Sequence, residues 1–349
     1  SQTFTSTLNL EVRAYENSTL AMRMLLDGEN SSIAGDGQWD GTSGELVITA
    51  NNGTIAGVLY EVSFELLNPI LGQPAPIVTI EADNFKLLPL AMNPGAGNFA
   101  PLLIADFTTR LLYQKSPSAG ADNRLFLTLR SNVDFAVGAT ITLSGLQGVS
   151  TPSSDSLLIK RSLTDMGVST LPEDVSLPLN ETGVWNQTAG TLVLSVSKSR
   201  RTIIHGNVSE PSTRYEAYED AENSTGLEAG VLYALEFNVS NNPTGQMSPS
   251  ISIEAAGIAL SPVPVTKGEG NAAPLMIAEF TRGSVGQNTP SASTTDPSYV
   301  SYNEITVTFV ANFELTKAAG SLLTVRGLTG SMLPDSTAVL FRSTVLREG

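Results

Sequence analysis

Residues 57–68 read GVLYEVSFELLN, and residues 230–241 read GVLYALEFNVSN, 173 positions later. Outward from this pair, the same offset carries IEA at 80–82 onto IEA at 253–255, and GNFAPLLIADFTTR (97–110) onto GNAAPLMIAEFTRG (270–283). The offset then grows to 180, where NRLFLTLRSNVDF (123–135) meets NEITVTFVANFEL (303–315), and to 182, where GLQG (145–148) meets GLTG (327–330). A drifting offset marks small loop insertions within one duplicated unit. A period this long suits a whole domain rather than a solenoid repeat. A length of 349 residues also fits two domains, each large enough to bury a core without staples.

The periodicity within each copy is mostly two. Glu45-Leu46-Val47-Ile48-Thr49, Ile77-Val78-Thr79-Ile80-Glu81, Leu125-Phe126-Leu127-Thr128-Leu129 and Ile305-Thr306-Val307-Thr308-Phe309 are short runs rich in β-branched residues. Turn clusters separate them, among them Asn93-Pro94-Gly95-Ala96-Gly97 and Asn241-Asn242-Pro243-Thr244-Gly245. The pattern predicts an all-β chain of two tandem, duplicated β-sandwich domains, Ig-like or jelly-roll-like, with about eight strands each. No long amphipathic helix is predicted. The acidic segment Tyr215–Glu222 reads as one or two helical turns.

Trp39 and Trp185 match at an offset of 146, and the step from 146 to 173 places an insertion of 27 residues in copy two, within 197–229. The expected domains are therefore 1–167, with an N-terminal arm over 1–21 that has no counterpart, and 168–349, with the insertion at 197–229. Ser169–Asp174 reads as the linker. The arm reads either as an ordinary first strand or as a strand donated to a neighbouring subunit.

Composition narrows the function. The chain has no Cys, which excludes disulfides, thiol nucleophiles and thiolate metal sites. A net charge of −15 argues against nucleic acid and anionic membrane as partners. No apolar run approaches the ~20 residues of a membrane-spanning helix. A chain that starts at Ser1 is expected to be a mature product or a piece of a longer precursor.

The strongest chemical signal is a set of eight N-glycosylation sequons, at Asn17, Asn30, Asn52, Asn180, Asn186, Asn207, Asn223 and Asn238. All lie in 17–54 or 180–238, which predicts a glycan-covered face and a sugar-free face in each copy. Catalytic signals are weak. Asp106 and Glu279 occupy equivalent places, but a carboxylate pair does acid–base work only where both converge on one cleft. His205 is the only histidine, and neither GxSxG nor HExxH occurs. No catalytic, cofactor-binding or metal-ligating residue is assigned, and no cofactor is expected. The Gly35–Gly41 turn, with Asp36 and Asp40, is the one calcium candidate, and its counterpart in copy two lacks both acids. The lysines (Lys86, Lys115, Lys160, Lys198, Lys267 and Lys317) offer no repeated position for a Lys–Asn crosslink.

The segments ATITLSGLQG (139–148) and SLLTVRGLTG (321–330) resemble the closing strands of tandem Ig-like repeats in large extracellular surface and fibre proteins. The resemblance implies a structural or adhesive role and transfers no functional residue. The expected function is a structural subunit or segment of a secreted, glycosylated filament, appendage or surface coat. It would be a homopolymer built by head-to-tail domain contacts, with N-terminal strand addition as reinforcement. The alternative is an adhesin or glycan-binding module using Tyr215 and Tyr218, or Tyr299 and Tyr302. An enzyme using Asp106 or Glu279 ranks below both.

Overall fold

The computed structural model describes residues 5–9, 11–16, 19–20, 36–48, 56–57, 59–82, 87–162, 176–198, 200–205, 215–220, 226–258, 260–288, 303–317, 319–331 and 343. The chain is all-β. Among these residues there is no α-helix, only the short 3-10 turns Gly97–Phe99 and Gly270–Ala272. None is a helix long and apolar enough to cross a membrane.

The chain forms two compact units, Ser1–Ile104 and Ala105–Gly349. That division differs from the expected boundary at 167/168. Strand pairing joins the end of copy one to the beginning of copy two, so the folded unit is out of phase with the sequence repeat.

Unit one holds β1 (Thr5–Asn9), β2 (Glu11–Glu16), β3 (Thr19–Leu20), β4 (Asp36–Asp40), β5 (Glu45–Ile48), β6 (Leu59–Ser63), β7 (Thr79–Ile80) and β8 (Leu90–Ala91). These make three small sheets, β1-β4-β5, β3-β2-β6 and β7-β8. The N-terminal stretch expected as an arm has partners in its own chain, since β1 pairs β4 and β2 pairs β6.

Unit two begins with β9 (Phe107–Gln114), β10 (Asp122–Ser131), β11 (Phe135–Ala136), β12 (Thr140–Ser144) and β13 (Ser154–Arg161). It continues with β14 (Thr182–Asn186), β15 (Thr191–Ser195), β16 (Arg200–His205), β17 (Tyr215–Asp220), β18 (Gly226–Leu227) and β19 (Tyr233–Ser240). The last strands are β20 (Ser252–Ala256), β21 (Leu260–Pro264), β22 (Thr266–Lys267), β23 (Phe280–Gln287) and β24 (Ile305–Ala311). Ten of them form one sheet in the order β21-β20-β12-β15-β14-β13-β19-β10-β9-β22. Its edge strands, β21 and β22, are separated in sequence by Val265 alone. The sheet therefore nearly closes on itself. β13 makes the turn, pairing β14 with its first half and β19 with its second.

Period-two patterning explains the interior. β12 and β15 alternate half-buried with buried residues, which sends Ile141, Leu143, Leu192 and Leu194 inward. Leu125, Leu127 and Leu129 of β10 join them, with Leu235 and Phe237 of β19 and Trp185 of β14. The Trp185 Nε1–H donates to the Thr151 carbonyl at 2.9 Å, so the buried indole is satisfied.

The insertion at 197–229 contributes the ribbon β16–β17, a two-stranded sheet separate from the ten. The acidic segment read as helical turns is the strand Tyr215–Asp220. Its register sets Asp220 opposite Arg200 and Glu219 opposite Arg201, so a basic partner strand suits the acidic run better than an isolated helical turn. β23 and β24 form a separate two-stranded hairpin.

Candidate assembly surface

The two acids are held alike in each copy through their backbones. The Asp106 backbone N–H donates to Asn132 Oδ1 at 2.7 Å, and the Glu279 N–H to Asn312 Oδ1 at 2.8 Å. The Asp106 carboxylate lies 3.7 Å from Arg110. Among the described residues no three His, Cys, Asp or Glu side chains gather as a metal site would require. In the turn considered for calcium, Asp40 Oδ1 accepts the Thr42 N–H at 2.8 Å. That bond, above all, holds the carboxyl below its usual pKa. His205 lies on β16 opposite Tyr215.

Of the described lysines, Lys115, Lys160, Lys198 and Lys317 are exposed, and the half-buried Lys267 directs its Nζ to the Ser248 and Pro249 carbonyls. Lys86, Tyr299, Tyr302 and the Ser169–Asp174 linker lie outside the described residues. A depression of about 90 Å³ lies beside Leu158, Lys160, Glu236 and Asn238, well below the size of a small-molecule site.

Three sequon asparagines are described. Asn180, Asn186 and Asn238 are all exposed. Asn186 Oδ1 accepts the Ala189 N–H at 3.0 Å in the β14–β15 turn. Asn238 points outward from β19, beside buried neighbours Phe237 and Val239. Asn17, Asn30, Asn52, Asn207 and Asn223 lie outside the described residues.

The repeat is reproduced in backbone detail. Leu102 and Leu275 both adopt positive φ, 54° and 56°, a conformation uncommon for Leu. The bridges Gln73–Ile104 and Gln246–Ile277 are equivalent. The β9–β10 and β23–β24 hairpins share their register, including an irregularity at the same place. Even the N-terminal strands have a counterpart. β1–β2 pairs with β4 and β6 as β13 pairs with β14 and β19, with Ser6 opposite Trp39 as Ser154 is opposite Trp185.

Equivalent elements differ sharply in burial. Leu125, Leu127 and Leu129 are wholly buried, whereas Ile305, Val307 and Phe309 are about 40% exposed. Ile253 is wholly buried and its counterpart Ile80 is 55% exposed. The large exposed apolar residues concentrate in 59–99 and 280–328, inside the stretches free of sequons. Within either unit, a large exposed apolar patch marks an interaction site or an aggregation liability.

A buried polar node was not anticipated from the sequence. Gln114 Oε1 accepts the Leu275 N–H at 2.9 Å and Asn123 Nδ2 at 2.9 Å. Its Nε2 donates to the carbonyls of Met276 at 2.7 Å and Asn271 at 3.1 Å. Asn123 Nδ2 also reaches Asn241 Oδ1 at 3.0 Å, and Asn241 Nδ2 donates to the Ser116 and Ser118 carbonyls. The node ties together β9, β10, the residue that follows β19 and the 271–276 turn.

No protein-family model matches the chain, and no curated protein matches it.

Proposed function

We propose that the protein is a structural subunit of a secreted, glycosylated filament, appendage or surface coat. It is built on a duplicated β-sandwich unit and assembles head to tail with copies of itself. The observation that carries this reading is the exposure of Ile80 and Leu87 in unit one and of Val285, Ile305, Val307 and Phe309 in unit two, whose counterparts Ile253, Leu260, Leu112, Leu125, Leu127 and Leu129 are buried in the ten-stranded sheet. A soluble monomer would leave those side chains in water at a cost of about 25 cal/mol for each Å². A heterologous contact between two different patches propagates without limit where its rotation does not close. The three described sequons lie on exposed positions outside 59–99 and 280–328.

Electron microscopy and sedimentation of the native, glycosylated chain over a concentration series test the reading. Concentration-dependent linear assemblies support it. Particles that stay monomeric at every concentration overturn it. Glycan binding through the β16–β17 ribbon, lost on changing Tyr215 and Tyr218 together, would instead favour an adhesin. The placement of that ribbon outside the ten-stranded sheet is what keeps this second reading alive.

A further inference from the structure

We infer that the depression where β13 parts from β19 is the seat of the chain's own sugar, the first N-acetylglucosamine of a glycan on Asn238. The inference rests on the secreted, glycosylated character proposed above and specifies what one of its sugars contacts.

A change of strand partner makes the seat. β13 pairs β19 through Ile159, Lys160 and Arg161, opposite Phe237, Glu236 and Leu235. Continued by one residue, that register would set Leu158 opposite Asn238. Leu158 stands instead opposite Thr182 of β14, and Leu157 opposite Gly183. β19 meets the chain again at Ser240, whose N–H donates to Thr151 Oγ1 at 2.7 Å. The sheet therefore opens beside Asn238, and the depression of about 90 Å³ lies there, lined by Leu157, Leu158, Lys160, Glu236, Phe237 and Asn238.

The lining suits a sugar that carries an acetamido group. Asn238 opens the sequon Asn238-Val239-Ser240 and forms part of the wall, so a sugar joined to its Nδ2 starts beside the opening. Alternation puts Leu158 and Lys160 on the outward face with Glu236 and Asn238, because Ile159, Phe237 and Val239 between them are buried. Leu158 is 50% exposed, and the C–H face of a pyranose ring would take that apolar surface out of water. Lys160 can donate hydrogen bonds, and Glu236, 3.3 Å from Arg124, can accept them, which matches the hydroxyl and amide groups at the edge of the ring. The volume is that of about three waters at ~30 Å³ each. It admits the acetamido arm, with the ring lying across Leu158.

The seat is particular to this sequon. Asn186 is followed by the exposed Gln187, Thr188 and Ala189, so a sugar there extends into water. In copy one the place of Asn238-Val239-Ser240 is taken by Glu65-Leu66-Leu67, so the duplicated strand itself does not call for an asparagine. A sugar seated here would hold β13 to both of its partner strands. It would also keep the outward face of β13 and β19 in solvent within any assembly.

The test compares the wild-type chain with Asn238→Gln, both full length, secreted by a eukaryotic host and trimmed enzymatically to one N-acetylglucosamine per site. Mass spectrometry should find sugar on Asn238. The variant should unfold at a Tm lower by about 2–4 °C, and the same two chains made without sugar should unfold together. Leu158→Ser should erase the difference between the glycosylated pair. A nuclear Overhauser contact between the acetyl methyl on Asn238 and the Leu158 methyls reads the seat without any variant. Sugar present on Asn238 with neither that contact nor a shift in Tm would overturn the seat and leave the glycoprotein reading standing. A bare Asn238 beside occupied sequons elsewhere would do the same. Bare asparagines at all eight sequons would overturn both.

Discussion

Gln114 and Gln287 are the same residue in two environments. Gln114 is 3% exposed and makes four hydrogen bonds. Gln114→Leu would strand the Leu275 N–H, the Asn123 amide and two carbonyls. Each unsatisfied buried group costs about 1–3 kcal/mol, and part of that is recovered by relaxation, so a loss of about 2–4 kcal/mol is expected in denaturant unfolding. Gln287→Leu should leave that transition unmoved and weaken association instead. The node escaped the sequence reading because Gln and Asn are ordinary surface residues. The signal was present: Gln114/Gln287 and Asn68/Asn241 recur at 173 and Asn123/Asn303 at 180, while the apolar residues around them drift. Tyr233 offers a second check at this scale. Burial pushes its phenol up to about 12, helped by the Glu228 and Asp134 carboxylates and opposed by the bond its oxygen accepts from the Glu228 N–H at 2.8 Å. The unfolded chain ionises near about 10, so it releases the proton first. Stability from this group is complete below pH about 10 and is lost as the pH rises towards 12. An absorbance titration of wild type against Tyr233→Phe should show one tyrosine ionising near 12. Ionisation near 10 would show that the ring is solvated.

At the scale of elements, Gly145 and Gly327 separate conformational strain from packing. They share φ near 85°, so Ala at either carries about 1 kcal/mol for the left-handed backbone. Only Gly145→Ala also meets a neighbouring backbone carbonyl, and it should destabilise the unit by a further about 1–3 kcal/mol. Gly327→Ala should spare folding and impair assembly. Strand existence was largely legible, because a run such as Ile305–Phe309 announces its period locally. Phase was not. A repeat reads the same wherever its boundary is drawn, and only pairing over a long sequence separation decides which halves fold together. Tyr215–Asp220 shows the same limit, since its strand state depends on the partner strand Arg200–His205 upstream.

For the whole molecule, the proposed head-to-tail assembly would join two different patches. Such a heterologous contact would make growth linear and polar. An isologous dimer would instead saturate at two chains. Val307→Asp separates these outcomes when it is mixed with wild type. With the half-exposed β24 as one of the two patches, the variant would keep the other patch and still bind one neighbour. It would not bind the next chain through β24, because an aspartate buried in that contact would be desolvated at a cost of several kcal/mol. Each variant chain therefore caps one end of a polymer. Adding one variant chain to ten wild-type chains should hold the mean length to about ten subunits, as measured by electron microscopy, and a larger fraction should shorten it in proportion. Length that is indifferent to the variant would mean that growth proceeds through another surface. Length that collapses far below the mixing ratio would mean that the variant disturbs the other patch as well.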